Sequence, residues 1–137
     1  MSDRIITKPR PRISPDNAPL FEGLRAGVLR LPFCLDCGKP HLPPGPVCPY
    51  CLSDRLEWRD ASGLGTISSF VVVHKEWFPA FSADVPYNVI QVELDEGPRI
   101  TARLDEDGPI AVGERVRADF ARVDDDLTML VFKRTNR

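Results

Sequence analysis

The sequence predicts a mostly β chain with one short N-terminal helix, a small metal-binding ribbon and a five-stranded barrel. Three observations carry this expectation. The four cysteines of the 137-residue chain stand as two Cys-x-x-Cys pairs, Cys34/Cys37 and Cys48/Cys51. Prolines crowd the chain up to Pro49, which excludes long regular elements there. From Leu56 onward the texture changes to β-branched, alternating runs separated by polar turns.

Residues 1–30 read as an arm followed by a helix. Pro9, Pro11 and Pro15, set among Arg4, Lys8, Arg10 and Arg12, predict a basic, extended arm. Asp16 or Asn17 can then cap a helix over residues 18–26, with Pro19 in its first turn and Gly27 at its end. Leu20, Phe21, Leu24 and Val28 share one face of that helix, which suits either core packing or a surface for a partner.

Residues 31–55 form the ribbon. A Cys-x-x-Cys turn offers two thiolates to one ion, and two such turns complete the tetrahedron that zinc prefers. In Cys34-Leu-Asp-Cys37-Gly38 the glycine supplies the left-handed conformation that lets the chain turn back under the metal. The second knuckle is Cys48-Pro49-Tyr50-Cys51. Four thiolates leave no open coordination position, so the expected single Zn2+ is structural. Iron uses the same ligand geometry, and the spacing does not separate the two metals. Two disulfides would need an oxidising compartment, yet the first residues, Met-Ser-Asp-Arg-Ile-Ile-Thr-Lys, contain no apolar export segment. A thioredoxin-like pair would explain one Cys-x-x-Cys and not its duplicate. With six prolines between Pro32 and Pro49, the ribbon depends for its folding on metal and turns.

Residues 56–137 read as the barrel domain. Residues 64–73 make a long β-branched run opened by Gly63 and Gly65, long enough to bend through two sides of a small barrel. Residues 89–94 alternate, Asp95-Glu96-Gly97-Pro98 turns the chain, and Ile100, Ala102 and Leu104 repeat the inward pattern. Val116, Ala118 and Phe120 alternate with Arg115, Arg117 and Asp119 in the next strand. After the Asp124-Asp125-Asp126 turn, the last strand sets Met129 and Val131 on one face and Leu130 and Phe132 on the other. Five strands with a long first one predict a closed Greek-key barrel of the OB type.

The segment after the long strand holds the candidate binding residues. Trp77, Phe78, Phe81 and Tyr87 cluster there with Pro79 and Pro86, on what reads as a loop. Aromatics concentrated on a loop suit an interface, or a plug over the barrel's own end. His74 and Lys75, at the start of this segment, are candidate contacts to a partner. With its cysteines engaged by metal the chain has no free thiol. It also shows no Ser-His-acid constellation and no Gly-x-Ser-x-Gly elbow, so no catalytic residue is assigned. His41, in the ribbon, is expected to be exposed or to support the metal ligands from outside the tetrahedron.

Composition narrows the partner classes. A net charge of -2 offers no general attraction for DNA or a membrane surface, and no run approaches the ~18 apolar residues of a membrane span. A reducing, cytoplasmic setting follows from the cysteine usage. A single-stranded nucleic-acid-binding protein is the alternative reading, because ribbons and OB folds both serve that role. Against it, Arg99, Arg103, Arg115, Arg117 and Arg122 are diluted by neighbouring acids. An independent enzyme is a third class.

The order of blocks carries a more specific signal. Phe21-Glu22-Gly23-Leu24-Arg25-Ala26-Gly27 is followed by Phe33-Cys34-x-x-Cys37-Gly38 and by Leu42-Pro43-Pro44-Gly45-Pro46-Val47-Cys48-Pro49-x-Cys51. Next come Leu56-Glu57-Trp58, Gly63-x-Gly65-Thr66-Ile67, Val73-His74-Lys75, Ala83-Asp84-Val85-Pro86-Tyr87 and Val92-Glu93-Leu94-Asp95-Glu96-Gly97-Pro98-Arg99. Taken together, these blocks resemble the DUF35 family over residues 18–134. Many members have an aromatic pair in the helix where this chain has Leu20-Phe21. The resemblance implies a rubredoxin-like zinc ribbon joined to an OB-fold barrel. It also implies a companion subunit of thiolase-like enzymes, meaning thiolases, acyltransferases or the lipid-transfer-protein-like aldolases that shorten steroid side chains on coenzyme A. In such complexes the OB domain helps shape the acyl-CoA channel while the partner performs the chemistry. The resemblance thus implies that Trp77, Phe78, Phe81 and Tyr87 line an acyl channel or interface, that His74 and Lys75 contact the partner or a coenzyme A phosphate, and that an independent enzyme would be coenzyme A-dependent. Some members are fused to a MaoC-type hydratase domain, for which residues 1–137 offer no counterpart.

Overall fold

The computed structural model describes residues 10–135; residues 1–9 of the expected arm and the last two residues of the barrel segment lie outside them. Helix α1 spans Ala18–Ala26, with Pro19 in its first turn. It stops at Gly27, whose φ of 81° is left-handed and whose amide, with that of Val28, satisfies the last helical carbonyls. Asn17 occupies the N-cap position, but its side chain turns backward. Its Oδ1 accepts from the Ser14 amide at 2.7 Å, and its Nδ2 donates to the Arg12 carbonyl. The arm thus takes the hydrogen bonds that the helix end would otherwise receive. Arg10 in that arm pairs with Asp124 at 2.7 Å.

Strands β1 (Arg30–Cys34) and β2 (Leu56–Asp60) form a separate antiparallel pair in the register Cys34↔Leu56 to Arg30↔Asp60. β2, which opens the expected barrel segment, therefore brackets the ribbon instead of joining the barrel. The reason lies in its partner: β1 carries the first ribbon cysteine, and closing the ribbon returns the chain to that strand.

The barrel proper comprises β3 (Leu64–Val73), β4 (Tyr87–Leu94), β5 (Arg99–Leu104), β6 (Arg115–Arg122) and β7 (Thr128–Arg134), closed in the order β3-β4-β5-β7-β6. All pairs are antiparallel except β5 with β7. Among the described residues this is a mostly β molecule with one α-helix, a ribbon and a five-stranded OB-like barrel, as the sequence predicts. Gly65 allows β3 to cross β4 closely: a Cβ there would lie 2.5 Å from Val92 Cγ1 and 2.7 Å from the Glu93 carbonyl oxygen. On β7 the inward face is the one carrying Leu130 and Phe132, and Phe132 is fully buried.

One apolar cluster unites these parts. Leu24 of α1 and Leu29 and Leu31 around β1 are buried in the same core as Ile67, Ile90, Val92, Leu104, Val116 and Phe132. Leu20 and Phe21 pack against it, so the helical stripe faces core and is not open to a partner. Tyr87, expected on the loop, is instead the first residue of β4, where it pairs with Val73. Among the described residues no helix is long and apolar enough to cross a membrane.

Candidate functional site

Two sites emerge, a cysteine cage and an aromatic edge. In the cage, the Sγ atoms of Cys34, Cys37, Cys48 and Cys51 all lie within 4.8 Å of one another, with Cys34 to Cys51 at 3.5 Å and Cys37 to Cys48 at 3.6 Å. Zinc–sulfur bonds of about 2.3 Å in a tetrahedron require sulfur–sulfur edges of about 3.8 Å, so one ion fits. The two knuckles repeat the same hydrogen bonds. The Gly38 amide donates to the Cys34 carbonyl and the Leu52 amide to the Cys48 carbonyl, both at 2.8 Å. The Cys34 amide donates to Lys39 as the Cys48 amide does to Ser53. Backbone amides also point at sulfur, Cys37 N to Cys34 Sγ and Tyr50 N to Cys48 Sγ, each at 3.4 Å.

The amide of Cys37 is the main reason the Cys34 thiol falls to about 6. At Cys51 the Ser53 amide acts to lower the value. The neighbouring Cys34 sulfur, desolvation and the other two sulfurs outweigh it and push Cys51 up to about 12. Without a cation the cage therefore holds its negative charge on some sulfurs only; a divalent ion is what allows all four to ionise together.

The second knuckle shows something the sequence hides. Where the first has Gly38 at φ 78°, the second has Leu52 at φ 65°, a conformation that disfavours a branched side chain. His41 departs from expectation too: it is buried, 2% exposed, and neither ring nitrogen has a partner among the described residues. Burial lowers its pKa below the ordinary value.

The aromatic edge lies where β3 ends and β4 begins. His74 and Lys75 follow β3 and are exposed, and Lys75 Nζ sits 4.2 Å from the centre of the Trp77 ring. Trp77 is 65% and Phe78 54% exposed. Phe81, in the short 3-10 turn Pro79–Phe81, is half-buried between Phe78 and Tyr87, at ring distances of 6.1 and 6.3 Å. None of these aromatics belongs to the buried core. The loop thus splits into an outward pair, Trp77 and Phe78, and an inward pair, Phe81 and Tyr87, that props it.

Sequence reasoning missed two parts of this edge. Arg103 stacks over Tyr87 at 5.3 Å, adding a cationic group to the inward half of the edge as Lys75 does to the outward half. The far half of β3 is exposed on both faces, with Phe70 at 37%, Val71 at 57% and Val72 at 46%. The signal was present: Phe-Val-Val-Val does not alternate. Such a run normally marks a strand covered on both sides, and here the covering is absent from the described residues. A groove of about 540 Å³ opens between Phe70 and Val72 on one wall and Asp107, Pro109 and Ile110 on the other.

Comparisons with known proteins agree with this geometry. Residues 21–57 match the family profile "ChsH2, rubredoxin-like zinc ribbon domain", and residues 58–121 match "ChsH2, C-terminal OB-fold domain". The chain is 38% identical over 128 residues to a "Probable enoyl-CoA hydratase alpha subunit" of Thermomonospora curvata, covering 92% of this chain but 40% of that protein. It therefore spans well under half the length of that relative. A "DUF35 domain-containing scaffold protein" of Methanothermobacter thermautotrophicus is 36% identical over 93 residues, 66% of this chain and 69% of that one. Among solved structures, a chain of the "Ltp2-ChsH2(DUF35) aldolase" superposes with a TM-score of 0.82 at 38% identity, covering 91% of this chain and 98% of that chain. With both its ribbon and its barrel matched in order, the chain belongs to the DUF35 family, with the zinc-ribbon and OB-fold domains of the ChsH2 type.

Proposed function

We propose that this chain is a non-catalytic accessory subunit of a thiolase-superfamily enzyme, whether thiolase, acyltransferase or lipid-transfer-protein-like aldolase. It docks on that partner through the aromatic edge, stabilises it and helps shape its acyl-CoA channel. The ribbon holds one structural zinc ion, and the cage dimensions support this. The observation that carries the docking reading is the pair Trp77 and Phe78, large aromatic groups more than half exposed on a chain whose core is complete without them. The names of the relatives support an acyl-CoA setting: one is called a hydratase subunit, another a scaffold, and the structural neighbour is part of an aldolase assembly. His74, Lys75 and Arg103 beside the aromatics suit the phosphates of a coenzyme A ester at the joint. A nucleic-acid role draws less support, since Arg115 is held by Asp95 at 2.7 and 2.9 Å and Arg122 pairs with Asp125.

The test is coexpression with the thiolase-superfamily subunit that copurifies with it from its native host. Changing Trp77 and Phe78 together to alanine is expected to weaken the complex at least ~30-fold, roughly 2 kcal/mol or more, and to lower the partner's activity. Zinc content and unfolding of the free chain are expected to change little. Acyl-CoA turnover by the isolated, zinc-loaded chain would overturn the reading.

A further inference from the structure

The closure of the barrel is uneven along β3. Its pairing with β6 covers Leu64 to Thr66, and the contact ends where Ile67 donates to the Glu114 carbonyl and accepts from the Gly113 amide. A register irregularity between Ile67 and Ser69 follows. Beyond it, Ser69 to Val73 pair on one side with β4, from Gln91 to Tyr87, and on the other side with no strand among the described residues.

That second side is a free sheet edge about 17 Å long, at about 3.3 Å per residue. Every other residue along it presents an unpaired amide and carbonyl. Such edges invite another strand, and proteins guard them with lysine, proline or inward-pointing charge. Ser68-Ser69-Phe70-Val71-Val72-Val73 contains no charge and no proline. From Phe70 to Val72 its side chains are apolar and exposed on both faces: Phe70 and Val72 line the groove, and Val71 is the most exposed of the three. Across that groove lies Asp107, and Asp105 lines the adjoining hollow with Arg103 and Tyr87; both are exposed, and neither has a side-chain partner among the described residues. The loop that carries them is pinned by Arg134, which donates to the carbonyls of Asp107 and Pro109 and pairs with Glu114 at 2.9 Å. The acids therefore stand in place before any partner arrives.

We infer that the free edge of β3, Ser68–Val73, receives an extended strand of the partner enzyme, which continues the sheet beyond the barrel. This inference rests on the accessory-subunit reading and makes its docking specific. Main-chain hydrogen bonds supply affinity, and alternate side chains of the incoming strand meet Phe70 and Val72 on one face and Val71 on the other. A partner strand carrying apolar residues beside a lysine or arginine fits the groove, because Asp107 faces it. A continuous surface results, since Trp77 and Phe78 begin four residues after the edge ends.

Amide hydrogen exchange tests this on the wild-type chain, alone and in complex with the coexpressed thiolase-superfamily subunit. Within Ser68–Val73, the alternate amides that face away from β4 are expected to slow at least ~10-fold on binding, while those bonded to β4 change little. Val71→Lys places a charge on the exposed edge and is expected to raise the dissociation constant at least ~10-fold, with unchanged zinc content and unfolding midpoint. If the complex forms and protects Trp77 and Phe78 while the edge amides exchange as in the free chain, the strand addition is overturned and the accessory role stands. Edge protection that grows with concentration of the free chain would assign the edge to a second copy and overturn it too. Failure of any complex to form would overturn both readings.

Discussion

His41 is a small, polarisable group placed where water does not reach. Its ring is buried with neither nitrogen partnered among the described residues, so the folded chain resists protonating it. The unfolded chain protonates the same ring at its ordinary value of 6.5. Because the unfolded state binds more protons in this window, folding stability is fully present above pH 6.5 and falls as the pH drops below it, down to the lowered folded value. Urea unfolding of the metal-loaded protein between pH 7.5 and 5.5 measures this. His41→Phe, which keeps the buried volume and removes the titration, is expected to flatten the profile at constant zinc content. The sequence expectation of an exposed or ligand-supporting histidine fails at this residue for a local reason. The ribbon folds its proline-rich link back so that the His41 amide reaches the Pro32 carbonyl at 3.2 Å, which carries the ring inward.

Among the elements, β4 and β5 show how a side chain extends a sheet. Their ladder runs from Glu93↔Arg99 to Ile90↔Ala102 and then stops. Asn88 continues it with its own amide, donating from Nδ2 to the Leu104 carbonyl at 2.9 Å and accepting at Oδ1 from the Leu104 amide at 2.7 Å. Leu104 is buried, 2% exposed, so both of its backbone groups depend on that side chain. Asn88→Ala strands them, and a loss of about 2–3 kcal/mol in chemical denaturation is expected, since each buried unsatisfied polar group costs about 1–3 kcal/mol. Such a contact was not legible beforehand, because Asn88 lies just before residues 89–94, the run that alternation marks as a strand. What was legible at this scale was periodicity: the inward set Ile90, Val92 and Leu94 and the helix from Ala18 to Ala26 stand where hydrophobic spacing puts them.

Across the whole molecule, ribbon and barrel share one core. Leu29 and Leu31 flank the first cysteine knuckle and are buried with Ile67, Val116 and Phe132 of the barrel. Loss of the metal should therefore be felt beyond the ribbon. Stripping zinc with a chelator is expected to lower the unfolding midpoint of the barrel by roughly 5 °C or more in one cooperative transition, as a loss of ~1 kcal/mol alone shifts a domain of this size by a few degrees. Calorimetry with and without chelator checks this; an unchanged barrel transition would show that the two parts unfold separately.

By itself the sequence determined the helix, the barrel strands and the four-cysteine cage, but not the β1–β2 pair, because the first three rest on short-range information. Cys-x-x-Cys spacing places two sulfurs on one turn whatever the surroundings, and alternation assigns a strand face wherever one side is buried. Three things were decided only by the tertiary structure: the strand that β2 pairs with, the burial of His41, and the exposure of Phe70, Val71 and Val72. The same apolar run would read identically inside a sheet and on its rim. The choice is made by where β6 ends its pairing with β3, at Thr66, and that depends on closure of the whole barrel, which no local pattern records.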